Sequence, residues 1–297
     1  MSRRNMQLAV SAVAACILAA SAMAAAPQAL QFSRRAPQLG DQVEQSLSVE
    51  MQLDSVVRQG SQVVEQVKTA IGRRQHRTVT TTEVVNGMPI AALVRYRDAT
   101  KSLAAGTSAA DLREMHQSPQ PVAGKAYRCR REGDDLRITD EAGHIPPLDE
   151  YHIVAQNMES LGRPNPLAEF LAGRTVQVGE RLAVPHEVAE KLLGLGNTLG
   201  EVSRFDLLLV DVREQDGAAC GVFQAGIEAA STDSSQMRLA VDGQLVIQAD
   251  TCRAVEANFA GPIGMSETRG SLTATYQMTG TGRMAIRIAA AYSDVAR

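Results

Sequence analysis

The chain has no tryptophan, and only five phenylalanines and five tyrosines in 297 residues. A transmembrane β-barrel needs aromatic girdles at both interfaces, so this scarcity counts against one. It counts equally against a single-strand nucleic-acid platform and a sugar-binding surface, both of which stack their ligands on rings. Beyond residue 24 there is no apolar run long enough to span a bilayer, which excludes an integral helical bundle. Signatures of chemistry are missing as well. There is no G-x-S-x-G, H-E-x-x-H or C-x-x-C, and Gly194-x-Gly196 and Gly280-x-Gly282 lack phosphate-loop spacing. No catalytic residue, cofactor or metal site is expected on this basis.

What is present begins at the N-terminus. Met1-Ser2-Arg3-Arg4-Asn5 is a short cationic stretch, followed by an apolar run from Met6 to Ala20 and by Ser21-Ala22-Met23-Ala24. Ala22-x-Ala24 is the small-x-small pattern of a secretory cleavage site, so residues 1–24 read as a signal peptide cut after Ala24. Three other readings compete: an uncleaved span, lipidation at Cys16 in Val13-Ala14-Ala15-Cys16, and a twin-arginine signal. Export to the periplasm or beyond is the expectation, with a lipid anchor on Cys16 as the lesser alternative.

Removing residues 1–24 takes Arg3 and Arg4 from the 30 basic residues and none of the 33 acids. The remaining chain is mildly acidic and has no general attraction for nucleic acid or anionic lipid. It keeps Cys129, Cys220 and Cys252, an odd set that allows at most one internal bridge. Cys220 and Cys252 fall in neighbouring predicted strands and are the expected pair, while burial of all three as small apolar side chains is the alternative.

Residues 25–40 read as an extended lead-in, and 41–297 as a single β-rich domain with a helical segment at about 148–195; two domains split near Ser118-Pro119-Gln120-Pro121 are the alternative. The clearest periodicity lies between Val43 and Asp54. Val43, Leu47, Val49, Met51 and Leu53 alternate with Glu44, Ser46, Ser48, Glu50, Gln52 and Asp54, as in a half-buried antiparallel strand. Val63–Ile71 and Arg77–Val85 read as further strands. Asn86-Gly87 is a hairpin signal, with Pro89–Tyr96 returning. Ser108 with Asp111 predicts a capped short helix. Tyr127–Arg131 and Leu136–Thr139 flank a second hairpin. Leu148, Tyr151, Val154, Met158 and Leu161 share a helical face that Gly162 closes. Pro166–Ala172 adds a turn or two, Thr175–Val184 a short strand pair, and Pro185 opens a helix to Leu193. From Glu201 a meander of seven strands is expected, with breaks at Asp216-Gly217, Asp242-Gly243, Asp250, Gly261-Pro262 and Thr279-Gly280. The predicted fold class is mainly β (α+β): a curved antiparallel sheet or partial barrel with a central helical insertion.

Titratable residues cluster at several places. His144, Asp149, Glu150 and His152 form the densest group and could do acid–base work, but Asp149 and Glu150 also suit a helix first turn. His186 and Glu190 have i, i+4 spacing without a third metal ligand. Arg73-Arg74-Gln75-His76-Arg77 is a basic cluster that could meet phosphate or headgroups, or form a solvated hairpin. Arg128, Arg130 and Arg131 are expected to pair with nearby acids.

Gly124-Lys125-Ala126-Tyr127, the phrase from Leu171 to Glu180 and the terminal meander are similar to segments of uncharacterised secreted bacterial proteins. The layout resembles the periplasmic lipoprotein carriers, in which an open half-barrel holds acyl chains under a helical lid. The resemblance implies an exported, non-enzymatic binding or carrier protein, with a lipid or another envelope component as partner. The alternatives are a structural envelope protein without a small ligand and a hydrolase whose residues meet only in three dimensions.

Overall fold

A computed structural model of the chain describes residues 28–108, 110–113, 115–193, 201–231, 235–271 and 274–293. The expected signal peptide and Cys16 lie outside these residues. Strand β1 (Ala29–Gln31) is followed by three long strands, β2 (Gln42–Gln59), β3 (Gln62–Val85) and β4 (Met88–Gly106). After a single 3₁₀ turn come β5 (His116–Pro119), β6 (Ala126–Glu132) and β7 (Asp135–Asp140). The helical stretch holds α1 (Leu148–Asn157), α2 (Pro166–Leu171), β8 (Thr175–Gln177), β9 (Arg181–Ala183) and α3 (His186–Leu193). The meander is β10 (Glu201–Gln215), β11 (Ala218–Ala230), β12 (Ser235–Gln248), β13 (Ala254–Ser271) and β14 (Ala274–Ser293).

Twelve strands form one open, curved antiparallel sheet in the order β7-β6-β4-β3-β2-β14-β13-β12-β11-β10-β9, with β5 paired to β4. Its seam is the pairing of the first long strand with the last: β2 and β14 stay in register from Gln42↔Ser293 to Gln59↔Tyr276. β7 and β9 lie at opposite edges, so the helical stretch between them carries the chain from one edge to the other.

Several expected breaks are absent. Val63–Ile71 and Arg77–Val85 are one strand, β3, so the basic cluster lies mid-strand rather than in a hairpin. Asp242-Gly243, Gly261-Pro262 and Thr279-Gly280 lie inside β12, β13 and β14, which makes five strands of the expected seven. The glycines serve close approach instead of turning. A Cβ on Gly243 would stand 1.8 Å from the Asn258 carbonyl oxygen, and one on Gly261 would stand 1.9 Å from that of Ala240. Such glycines let long strands bend sharply within a sheet. The hairpin reading at Asn86-Gly87 holds: both residues have positive φ, 52° and 73°.

The expected pair within 175–184 also resolves differently. β8 pairs with β1, and β9 pairs with β10. The lead-in is thereby packed, because Leu30 and Phe32 are buried in the largest core cluster. That cluster joins α2, α3, β1 and β8 to one face of β10–β13, through residues such as Leu171, Val176, Leu207, Leu209, Phe223 and Leu245. A second cluster packs Val154, Met158 and Leu161, on and just after α1, against Val94, Tyr96, Tyr127 and Ile138. The strand registers place both clusters on the same face, here called inner. Leu148 is the exception on α1, 70% exposed at its first turn.

The two clusters cover the wings of the sheet and leave its centre open. No residue of β2 is buried, although its alternation is the most regular in the chain. Leu47, Val49, Ile71, Leu103, Ile286 and Ile288 share the inner face and belong to neither cluster. The expected half-burial of β2 is met in part: its inner-face residues Leu47, Val49, Met51 and Leu53 are partly buried, Met51 and Leu53 against the largest cluster. Leu47 and Val49 pack into neither cluster among the described residues.

Candidate functional site

β3 runs through Arg73-Arg74-Gln75-His76-Arg77, and the two-residue period of a strand sends these side chains alternately to the two faces. On the outer face the cations are matched. His76 Nε2 lies 2.7 Å from Glu44, Arg74 lies 3.3 Å from Glu50, and Lys68 lies 2.6 Å from Asp54. These are cross-strand pairs of opposite charge, each a small stabilisation at an exposed site.

On the inner face Arg73, Gln75 and Arg77 stand opposite Val49, Leu47 and Gln45 of β2. They stand opposite Lys101, Ala99 and Tyr96 of β4. The inner-face positions of Gln45–Ser55, Val67–Arg77, Ala99–Leu103 and Gly280–Ala290 include no Asp or Glu. Arg73, Arg77 and Lys101 consequently form a basic strip beside the bare apolar centre, without a carboxylate partner.

Arg77 donates from Nε to Gln45 Oε1 at 3.0 Å and also bonds the Tyr96 hydroxyl. Its Nη1 is buried and has no acceptor. Burial pushes the Arg77 guanidinium below the ordinary arginine pKa, and Tyr96 opposes that shift. Arg73 is shifted down as well, again chiefly by burial. Gln75 is contested between two neighbours. Its amide nitrogen donates to Gln120 Oε1 at 2.9 Å, while Gln120 is anchored by its own donation to Thr100 O at 2.8 Å. Turning the Gln75 amide over would place its oxygen 2.8 Å from Arg73 Nη2, but would then face it with Gln120 Oε1. The turned orientation gives Arg73 an acceptor at both Nη2, 2.8 Å, and Nε, 3.2 Å, so the donor of the strip left unmet is Arg77 Nη1. Asn157, the last residue of α1, reaches the strip by donating to Tyr96 Oη at 2.9 Å and to Gln75 Oε1 at 3.1 Å.

Gln45, Ser46, Leu47, Gln75, Arg77 and Ile288 line a pocket of about 160 Å³ at the junction of strip and apolar centre. A larger pocket, about 390 Å³, opens on the outer face among Leu93, Arg128, Arg130, Arg137 and Thr139. Its cations are partly compensated there. Arg130 holds Glu83 through both guanidinium nitrogens, and Arg137 approaches Glu132. The smaller pocket is the better candidate, because it combines an unmatched donor with apolar wall.

The other residues singled out by sequence do not converge. His144 is exposed and lies 3.6 Å from Asp140, not beside Asp149. Asp149 and His152 are exposed on α1. Glu150 is buried and accepts from Lys125 Nζ and Tyr127 Oη, each at 2.6 Å, a structural tie that the first-turn reading missed. His186 and Glu190 are 3.7 Å apart, and Glu190 is also engaged by the Val202 amide. No group of three metal-ligating side chains occurs among the described residues. Arg131 pairs with carbonyls instead of the expected acids, donating to Leu161 O, Glu159 O and Asp134 O. Asp111 caps as expected, its Oδ2 accepting from the Thr107 and Ser108 amides.

Cys129, Cys220 and Cys252 are free and buried. The expected partners Cys220 and Cys252 sit in separate core clusters with no bond between them. Cys252 Sγ lies 3.1 Å from Ser33 O, and Cys220 Sγ lies 3.5 Å from Ala218 O. Burial pushes the Cys129 thiol up to about 12 and that of Cys252 up to about 11.

No protein-family model and no curated protein matches the chain. Among solved structures it is similar to lipovitellin, described for its lipid–protein interactions, at 7% identity and a TM-score of 0.40. That match covers 88% of this chain but only 26% of lipovitellin. An outer membrane channel from Pseudomonas putida F1 matches at 10% identity, with 85% and 97% of the two chains covered and a TM-score of 0.20. A LolA superfamily protein from Nitrosomonas europaea matches at 10% identity, with 84% and 87% covered and a TM-score of 0.16. The likeness is to the weakly similar layout of large antiparallel sheets; at such scores it supplies no residue, ligand or activity. No helix among the described residues is long and apolar enough to cross a membrane.

Proposed function

We propose that this is an exported, non-enzymatic binding or carrier protein that holds a molecule with an acyl chain on the open centre of its inner face. The single observation that carries the reading is the stripe of Leu47, Val49, Ile286 and Ile288, partly exposed and outside both core clusters among the described residues, between two helix-covered wings. Contiguous apolar surface left on a folded domain marks a binding site more often than chance. Leu47 to Leu53 extends roughly 20 Å at about 3.4 Å per residue, longer than the ~15 Å share of one leaflet in a ~30 Å hydrocarbon core. Each methylene removed from water there would contribute about 0.8 kcal/mol before ordering costs. The exposed positions of His144, Asp149 and His152, with no hydrogen bond or ion pair between them, give a hydrolase no support.

The test is titration with an uncharged fluorescent naphthylamine, alongside native mass spectrometry of protein purified without delipidation. Saturable binding of one dye per chain, displaced by hexadecanol, is expected. Absence of saturable binding together with a mass showing no adduct would sink the reading and favour an envelope scaffold.

A further inference from the structure

The basic strip and the apolar stripe meet at one pocket, and their charge accounts differ from the rest of the strand that bears them. Along β3, Lys68, Arg74 and His76 on the outer face each have a carboxylate within 3.3 Å. Among the described residues, Arg73 and Arg77, on the inner face of the same strand, have none, and neither has Lys101 opposite Arg73. Sequence composition does not explain the contrast, since acids are as numerous on neighbouring strands. The acids of β2 between Gln42 and Gln59, namely Glu44, Glu50 and Asp54, all occupy the outer face. A buried guanidinium with an unfilled donor is costly unless something completes it. Arg77 Nη1 is such a donor, and the Arg77 side chain lines the 160 Å³ pocket. The pocket suits an oxyanion, while its apolar residues, Leu47 and Ile288, continue into the stripe that would take a chain.

We propose that Arg73, Arg77 and Lys101 form a headgroup subsite, so that the ligand is an anionic amphiphile whose carboxylate or phosphate oxygens meet Arg77 while its acyl chain lies along β2 and β14. This rests on the carrier reading above and specifies its ligand class. Charge-assisted hydrogen bonds to a planar guanidinium favour these oxyanions over a hydroxyl. Asn157 ties the end of α1 to Tyr96 and Gln75, which places the helix end next to the head of the bound molecule.

The experiment compares four ligands of matched chain length by dye displacement from the full-length protein: palmitate, palmitoyl-lysophosphatidylglycerol, methyl palmitate and hexadecanol. At least one anionic ligand should bind about tenfold or more tightly than both uncharged ones, and added salt should narrow the gap. An advantage for palmitate alone assigns a carboxylate head; one for the lysophospholipid alone assigns a phosphate. Arg77→Gln and the double variant R73Q/K101Q should each erase most of the advantage, with Arg77→Lys retaining part of it. Arg74→Gln, on the outer face, should not change it. Far-ultraviolet circular dichroism monitors folding of each variant. Equal binding of charged and uncharged ligands, or an advantage unaffected by the inner-face variants, would overturn the headgroup subsite and leave the carrier reading standing. Failure of all four ligands to displace the dye would overturn both.

Discussion

Arg73 and Arg74 are neighbours in the chain and meet opposite electrostatic fates: Arg74 lies 3.3 Å from Glu50, and Arg73 pairs with no carboxylate among the described residues. The strand period separates them, and the placement of the β2 acids on one face makes the difference. The inner face is consequently apolar at its centre and basic at its border.

A first prediction concerns stability without ligand. Replacing Arg77 by Met removes a buried charge and an unmet donor and fills the same space with carbon. Buried ionic groups replaced by apolar ones of similar size are often neutral or stabilising. Arg77→Met should raise the unfolding free energy of the ligand-free protein by about 1 kcal/mol while weakening anionic-ligand binding. Urea titrations of the delipidated proteins check this. A loss of several kcal/mol would mean that the bonds to Gln45 and Tyr96 complete the group.

The wings and the centre should respond differently to mutation. Leu207 is fully buried under the helices, and Leu207→Ala should cost about 2–5 kcal/mol. Leu47 is only half-buried in the centre, so Leu47→Ser should cost less than about 1 kcal/mol and yet lower the affinity for an uncharged acyl probe severalfold. Thermal unfolding combined with dye titration separates the two effects.

The β2–β14 seam joins the two β regions of the chain. Ile286 pairs with Phe259 on one side and Val49 on the other, so a proline there removes a ladder bond from an interior strand. Ile286→Pro should destabilise the protein by more than about 3 kcal/mol. Loss of helical and sheet signal in one transition at lower denaturant is the expected observation.

The thiols give a pH prediction. Cys129 and Cys252 have folded pKa values of about 12 and about 11, above the ordinary thiol value of 9.0. The folded state therefore holds these protons more tightly than the unfolded chain. Their contribution to stability is complete below pH 9 and falls as pH rises towards those values, by up to about 1.4 kcal/mol per unit for each thiol. Urea midpoints measured from pH 7 to 10.5 should decline above 9. In the same samples Cys129, Cys220 and Cys252 should all titrate as free thiols after denaturation without reductant, and resist alkylation at pH 8 beforehand. Finding only one of these three free would restore the Cys220–Cys252 bridge.

Much of the frame was legible in the sequence, for physical reasons that can be named. Alternation in Val43–Asp54 specified a strand, and Asn86-Gly87 a hairpin, because both signals are local. The helical segment was readable from one-sided spacing and from Pro and Gly at its ends. The errors came where locality fails. Arg73–Arg77 read as a loop because both faces of that strand stretch are polar, which hides the two-residue period. Gly243 and Gly261 read as turns, although their lack of Cβ serves close backbone approach. The proposed binding face was invisible for a deeper reason. Alternation shows that Leu47 and Val49 face one way, but only the path of α1, α2 and α3 across the sheet shows that, among the described residues, they lie outside both core clusters.

The central claim is that the open stripe on β2 and β14 is where a ligand chain lies. Photo-crosslinking with a diazirine-bearing palmitate, mapped by peptide mass spectrometry, tests this most directly. The account predicts labelling concentrated at Leu47, Val49, Met51, Ile286 and Ile288, competed away by unlabelled palmitate. Labelling confined to the outer face or scattered over the surface without competition would contradict it.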